Sequence, residues 1–514
     1  MTVFLRWARD NQAIIVLCLI CTLVLPALIV HPFHSDLDIY QSMGLELYAR
    51  HGLPYLASWD GNFPGIVLIH ALAIALFGNS ILGFRMLDLI IQIGIVISMY
   101  HVSRLWLAKE SSLLGCLFYA IMYVNGPGQF VGQRDCLALL PIVLFVGSCV
   151  LAYRSKSGRR WKILMTASGV LIGLTTCIRP TFAILLPLPF LTLFTLRDAR
   201  GRSALLNELF GFFVVVALCI APYVFIHGGI REVYLATIRF NIDIYSPAAN
   251  LFSASKRWVV AAGMLLGWSA MVLWHRQSGR HFQEAPRDKS ERRFLIGLIV
   301  AIVLEIAAMR RLAGYHMVPL FACFMPALGA IIWETKSRFG RAGSVILTLS
   351  IILLFVLLYP FRMIIDHPRQ EPVAAMAGLE LNSRGNAPED LTEDHVVDYL
   401  RRNTAPNDPV EVAAFTPAVR WRIERPPATR FTTPFPLTMR KADGTVTDYQ
   451  REWFGEYIQR LKEVRPKYYV IQNFIEGQVS TRGLMLEIPG LSELLADWYR
   501  SDTIIGIYYI YVRR

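Results

Sequence analysis

The chain has 514 residues, 54% of them hydrophobic and only 17% charged, with a mean hydropathy of +0.44. That is too apolar over too great a length for an ordinary soluble enzyme, and it marks a polytopic membrane protein. The net charge of +13 comes from short basic clusters between apolar runs, so it reports topology and not a nucleic-acid-binding face.

A helix needs about 20 apolar residues to cross the hydrocarbon core. Crossing must be helical, because open backbone groups find no water there. The first such run, residues 13–30, follows Arg6 and Arg9. Its length and the spans after it make it a retained signal anchor and not a cleaved leader. Further spans are expected at 83–103, 111–125, 136–153, 163–178, 181–196, 204–226, 257–275, 294–309, 316–333 and 342–361, about eleven crossings in all. The basic clusters WARD, RLWLAKE, RSKSGRRWK, RDARGR, the stretch from Arg276 to Arg293, and ETKSRFGR then share one side. Under the positive-inside rule that side is cytoplasmic, with the N-terminus inside and everything after Phe361 outside.

Residues 64–77 are too short a run to cross, and counting them as a span would put RLWLAKE and RSKSGRRWK outside. They are expected as a half-buried helix on the outer surface. That helix lies in a first external loop, 31–82, which also carries an amphipathic helix at 37–50. A second external loop is expected at 227–257. The eight cysteines all fall in or beside apolar runs, so no disulfide framework is implied. Cys18 and Cys21 read as small packing residues, although their spacing is CxxC.

From Asp366 the composition turns polar, with helices expected at 394–402, 449–464 and 491–499 and strands at 410–415, 468–472 and 504–512. The fold class is therefore an all-α polytopic membrane domain, residues 1–361, followed by a small α/β soluble domain, residues 366–514.

The stretch FHSDLDIYQ, at the exit of the first span, holds two carboxylates, Asp36 and Asp38. They share a face only on extended backbone, while on a helix they point nearly opposite ways. Two readings stand: solvated charges, one of them capping a helix that begins near Leu37, or acids that do chemistry. His31 and His34 complete an H-x2-H-x-D-x-D pattern, which suits either a divalent metal or an interfacial loop. Arg134 with Asp135, Arg179, and Arg310 with Arg311 all fall at the external ends of apolar helices. Singly, such charges are snorkelling anchors. Gathered at one border, they suit an anionic lipid phosphate.

The order of these features resembles the polytopic GT-C glycosyltransferases, in the protein O-mannosyltransferase and aminoarabinose transferase-like group. The resemblance rests on SDLDIYQSMGLELYARHGLPY, SWDGNFPG, LFGNSILGFRML, GQRDCLALLPIVLF, GLTTCIRPTFAILLPLP, RRLAGYHMVPLFACFMPAL and the external segments VVDYLRRNTAPNDPVEVAAFTPAVRW and RPPATRF. It covers essentially the whole chain. Two departures stand out: Asn62-Phe63-Pro64 replaces the family's K-P-P, and Leu37 replaces the Glu of its first acidic motif.

The resemblance implies transfer of a sugar from a polyprenyl-phosphate donor to a hydroxyl of a glycan, lipid or protein, with inversion. The place implied is the outer face of the bacterial inner membrane, with the C-terminal domain periplasmic or extracellular. Asp36 is then the base and Asp135 a second acid. Asp38, Tyr40, Tyr55, Asp60, Arg134, Arg179, Arg310, Arg311, Tyr315 and His316 become substrate contacts, with a divalent metal left open. The competing expectation is a transporter or lipid-linked-sugar flippase, but no internal hydropathy repeat supports it.

Overall fold

The computed structural model describes residues 11–126, 131–195, 200–245, 289–308, 314–333 except 321, short stretches between 340 and 349, and 388–514 except 442, 474 and 477–478. The crossing expected at 257–275 and most of that at 342–361 lie outside the described residues. The chain forms two compact units, each drawn from three separated stretches. One comprises residues 1–31, 85–219 and 250–368, and the other residues 32–84, 220–249 and 369–514.

The first unit is helical. Among the described residues, five helices are long and apolar enough to cross a membrane: Gln12–Val30, Ile81–Ser103, Arg134–Arg154, Gly158–Ile178 and Gly201–Val224. The chain is an integral membrane protein. Pro180–Thr195 and Val318–Trp333 are shorter apolar helices, and Lys109–Val124 and Lys289–Ala308 are further helices among the described residues. Lipid gives apolar side chains no reason to leave it, so such helices associate through close backbone packing at small residues. Here a Cβ at Gly169 would strike the carbonyl of Glu208, and one at Gly211 the carbonyl of Thr166. Helices Gly158–Ile178 and Gly201–Val224 therefore meet nearly backbone to backbone. Ile95, Val96, Cys116, Phe118, Tyr119, Cys136 and Leu139 fill the core around Ile81–Ser103 and Lys109–Val124.

The second unit begins with helix Ser35–Arg50, packed on helix Pro64–Phe77. Helix Pro64–Phe77 has the 14-residue length expected of it. It turns Val67, His70, Ala73 and Ile74 inward, while Leu68, Leu72 and Leu76 form an exposed stripe at i, i+4 and i+8. The polar C-terminal residues build a four-stranded sheet from β1 (Val410–Ala413), β2 (Tyr468–Gln472), β5 (Tyr499–Ile505) and β6 (Tyr508–Arg513). Its order is β1-β2-β6-β5. β3 (Ile475–Glu476) and β4 (Val479–Ser480) form a separate hairpin.

β1 runs parallel to β2, pairing Val410 with Tyr468, and the crossover between them carries helix Asp448–Val464. That helix starts on a capping box between Thr447 and Gln450. The single strand expected at 504–512 is two strands. Gly506, with φ of +56°, turns the chain inside an unbroken apolar run, and its permissive backbone hides the hairpin from hydropathy. Short helices at Ala418–Ile423 and Thr481–Leu486 were not expected. The core of this unit is aromatic: Trp59 meets Phe240 and Trp453 edge-on at 5.0 and 5.3 Å between ring centroids, and Phe431 packs beside Tyr457 at 5.8 Å.

Candidate functional site

In the helical unit, three sequence-predicted residues converge on one charged corner. Asp135 lies in the first turn of helix Arg134–Arg154 and is fully buried. Arg179 is the residue that ends helix Gly158–Ile178, with extended backbone (φ −149°). His316 lies on the 3-10 turn Gly314–Met317. The Arg179 guanidinium is in direct ionic contact with Asp135, and its Nη1 also reaches Nδ1 of His316 at 3.0 Å. Arginine only donates, so Nδ1 of His316 accepts and the ring proton resides on Nε2.

The other edge of Arg179 is held by a residue that sequence reasoning did not select. Its Nε is 3.4 Å from Oε1 of Glu305 and 3.2 Å from the hydroxyl of Thr181, which itself donates to the same Glu305 oxygen at 2.5 Å. Glu305 is 1% exposed on helix Lys289–Ala308. A carboxylate inside an apolar span was the available signal, since such a group marks function or a buried partner by default. The result is a clasp in which one guanidinium fixes two carboxylates contributed by different helices. Arg134 stands half-buried next to Asp135. Arg310 and Arg311 lie outside the described residues, and Tyr315 is described only as part of the 3-10 turn's backbone.

In the second unit, Asp36 and Asp38 both lie in the first turn of helix Ser35–Arg50. Neither is its cap: His34 is, its ring Nδ1 accepting the N–H of Asp36 at 3.4 Å. This corrects the reading of an aspartate cap. Asp36 is half-buried. Asp38 is 1% exposed, and its Oδ1 accepts the indole N–H of Trp421 at 2.9 Å, which ties helix Ala418–Ile423 to the first-loop helix. The same junction carries a chain of bonds from His70 to Gln41 at 2.9 Å and from Gln41 to Asn79 at 2.8 Å.

Tyr40, Tyr55 and Asp60 are brought together around Asn62, the residue that replaces the lysine of the family pattern. The side-chain amide of Asn62 donates to the Tyr40 hydroxyl at 3.1 Å and to Asp60, and its backbone carbonyl accepts the Tyr55 hydroxyl. Tyr55 itself has φ of +68°, and its carbonyl is gripped by Arg430. Arg430 also forks onto Glu456 at 2.7 and 2.6 Å and reaches Glu232 at 2.7 Å. Asn62, Trp421 and Arg430 are thus organising residues that no motif singled out.

His31 donates from Nε2 to the carbonyl of Val124 at 2.7 Å. Burial, and after it the positive charge of Arg85, pull its imidazole down to about 4, against the bond to Val124. Among the described residues, no group of three or more His, Cys, Asp or Glu is placed to hold a metal ion.

Residues 62–226 match the family model for dolichyl-phosphate-mannose-protein mannosyltransferases. No curated protein sequence matches the chain. Among solved structures, ArnT from Cupriavidus metallidurans bound to undecaprenyl phosphate superposes with a TM-score of 0.62 at 12% identity, covering 98% of each chain. This is the GT-C glycosyltransferase fold. The archaeal oligosaccharyltransferase from Archaeoglobus fulgidus tethered to an acceptor peptide shares the GT-C fold less closely, with a TM-score of 0.56 at 13% identity over 96% of this chain and 73% of that one. AglB from the same organism, in complex with an inhibitory peptide and a dolichol-phosphate, gives 0.50 at 12% identity over 98% and 74%. The first match therefore accounts for the GT-C fold from end to end, C-terminal residues included.

Proposed function

We propose that the protein is an integral membrane glycosyltransferase that moves a sugar from a polyprenyl-phosphate donor to an acceptor hydroxyl, with inversion, at the outer face of the membrane. The observation that carries the reading is the end-to-end likeness to a transferase structure holding undecaprenyl phosphate. The mannosyltransferase family match over residues 62–226 supports the same chemistry. In this reading residues 1–361 form the catalytic membrane domain and residues 366–514 an external domain, with the N-terminus cytoplasmic.

A departing lipid phosphate is a stabilised anion, so the enzyme must supply a base for the acceptor and cations for the developing charge. Asp36 is the base in this reading: it is half-buried and so can meet a solute, whereas Asp38 is buried and bonded to Trp421. Asp135, fixed by Arg179 and adjoining His316, orients the reacting groups. Arg134, Arg310 and Arg311 are the cations assigned to the leaving phosphate. Arg179 is neutralised by Asp135 and Glu305 and so serves first to hold them. The partners are a polyprenyl-phosphate sugar and a glycan, lipid or protein acceptor.

The test is donor consumption. Purified protein in lipid, given a polyprenyl-phosphate sugar and an acceptor extract, is expected to release free polyprenyl phosphate. A transporter or flippase would return the donor intact, and that result would overturn the reading.

A further inference from the structure

The turn that presents Arg134 and Asp135 is gripped from behind by polar side chains buried inside the helical unit. Nη1 of Arg85 donates to the carbonyl of Val131 at 3.1 Å, and the N–H of Gly132 donates to the Tyr123 hydroxyl at 2.8 Å. Gly132 has φ of +81°, a conformation that side-chain-bearing residues rarely adopt, so the grip acts at the residue that bends the chain. The Tyr123 hydroxyl in turn donates to Asp88, lying 2.8 and 2.9 Å from its two oxygens.

Behind this first rung the chain of bonds continues. Gln92 donates to Asp88 at 3.1 Å and accepts the Tyr119 hydroxyl at 2.6 Å, while Nε of Arg85 donates to the carbonyl of His31 at 3.0 Å. The spacing explains the geometry: Arg85, Asp88 and Gln92 line one face of helix Ile81–Ser103, and Tyr119 and Tyr123 line the facing side of Lys109–Val124. Arg85, Asp88, Gln92 and Tyr119 have no exposure, and Tyr123 has 1%. Burying an arginine and an aspartate in an apolar span is costly, and a saturated network of this kind is rigid. One of its outward bonds runs to the carbonyl of His31, and two end on residues 131 and 132, three or four positions before Asp135.

We propose that this ladder is a positioning device for Asp135, with Tyr123 and Arg85 as the positioning residues that transmit its rigidity to the turn. The proposal rests on the reading that Asp135 works in the transfer site. Asp135 must meet Arg179 and His316 at fixed geometry, and misplacement by about 1 Å at a reacting centre lowers turnover steeply.

A double-mutant cycle on the full-length protein in lipid tests it, reading kcat and KM for the polyprenyl-phosphate sugar. Tyr123→Phe keeps the ring and removes the hydroxyl. It is expected to lower kcat by about tenfold or more with KM for the donor within about twofold. In the Asp135→Asn background the same change is expected to add less than about twofold, because the group being positioned is already gone. Arg85→Lys, which keeps the charge and loses the fork, carries the same expectation and serves if Tyr123→Phe does not reach the membrane.

An equal loss in both backgrounds would make the ladder a general structural brace and overturn the proposal, as would an unchanged kcat in an inserted Tyr123→Phe protein. Full activity of Asp135→Asn alone would instead overturn the assignment of Asp135, and the proposal with it.

Discussion

Asp135 and Asp38 are both essentially unexposed, and both stand in the first turn of a helix, yet their surroundings differ in kind. Asp135, in the helical unit, meets a guanidinium and an imidazole within a clasp that also contains Glu305. Asp38, in the mixed unit, accepts an indole N–H from a segment 383 residues away in sequence. The indole bond to Asp38 ties two distant segments of the mixed unit together. A carboxylate held by a cation between helices belongs to an electrostatic arrangement that a reacting substrate can perturb. Burial alone therefore does not tell the two carboxylates apart, whereas the contacts with Arg179 and with Trp421 do.

The sharpest way to break the contrast is to remove the cation. Arg179→Ala leaves Asp135 and Glu305 buried with no guanidinium between them, and is expected to destabilise the helical unit by roughly 3–5 kcal/mol. Thermal unfolding in detergent would measure this, and a loss below about 1 kcal/mol would mean the clasp is not the charge balance described.

A second test concerns the charge that the helical unit excludes. His31 is held near 4 beneath Arg85, whereas in the unfolded chain it titrates at about 6.5. Above pH 6.5 the ring is neutral in both states and its contribution is complete. As pH falls from 6.5 to 4 the unfolded chain takes up the proton first, so stability declines across that window by on the order of 2 kcal/mol. His31→Asn should flatten that part of the stability profile, and an unchanged slope would contradict the assignment.

On the mixed side, Trp421→Phe keeps an aromatic ring against Phe33 but removes the indole N–H that Asp38 accepts. The expected cost is roughly 1–2 kcal/mol, read by unfolding of the full chain. The smallest effect belongs to Asp38→Asn, whose amide oxygen still accepts the indole proton. It should cost under about 1 kcal/mol and leave transfer largely intact. If Asp38→Asn instead abolished transfer with the fold unchanged, Asp38 would be a working acid and the contrast with Asp135 would collapse.

Much of the helical fold was legible because hydropathy and charge act locally. The long spans, the 14-residue run at 64–77 and the onset of the polar region are each written in a contiguous stretch. The motif order also led to Asp135, Arg179 and His316, which the structure brings together. What stayed hidden depends on partners far apart in the chain. Nothing local in Trp421 announces that it holds Asp38, and nothing around Asn62 announces that it gathers Tyr40, Tyr55 and Asp60. Glu305 did carry a local signal, as an acid in an apolar helix, but its role appears only once Arg179 lies beside it. The β5–β6 hairpin was lost because one glycine bends a run that stays apolar on both sides.

In the proposed reaction Asp36 activates the acceptor of a transferase that consumes a polyprenyl-phosphate sugar. The most direct measurement compares wild-type protein with Asp36→Asn in the same lipid, monitoring release of polyprenyl phosphate by mass spectrometry alongside membrane insertion and unfolding temperature. The variant is expected to insert and unfold as the wild type does while release falls by at least about a hundredfold. An inserted Asp36→Asn protein that releases polyprenyl phosphate at the wild-type rate would contradict it.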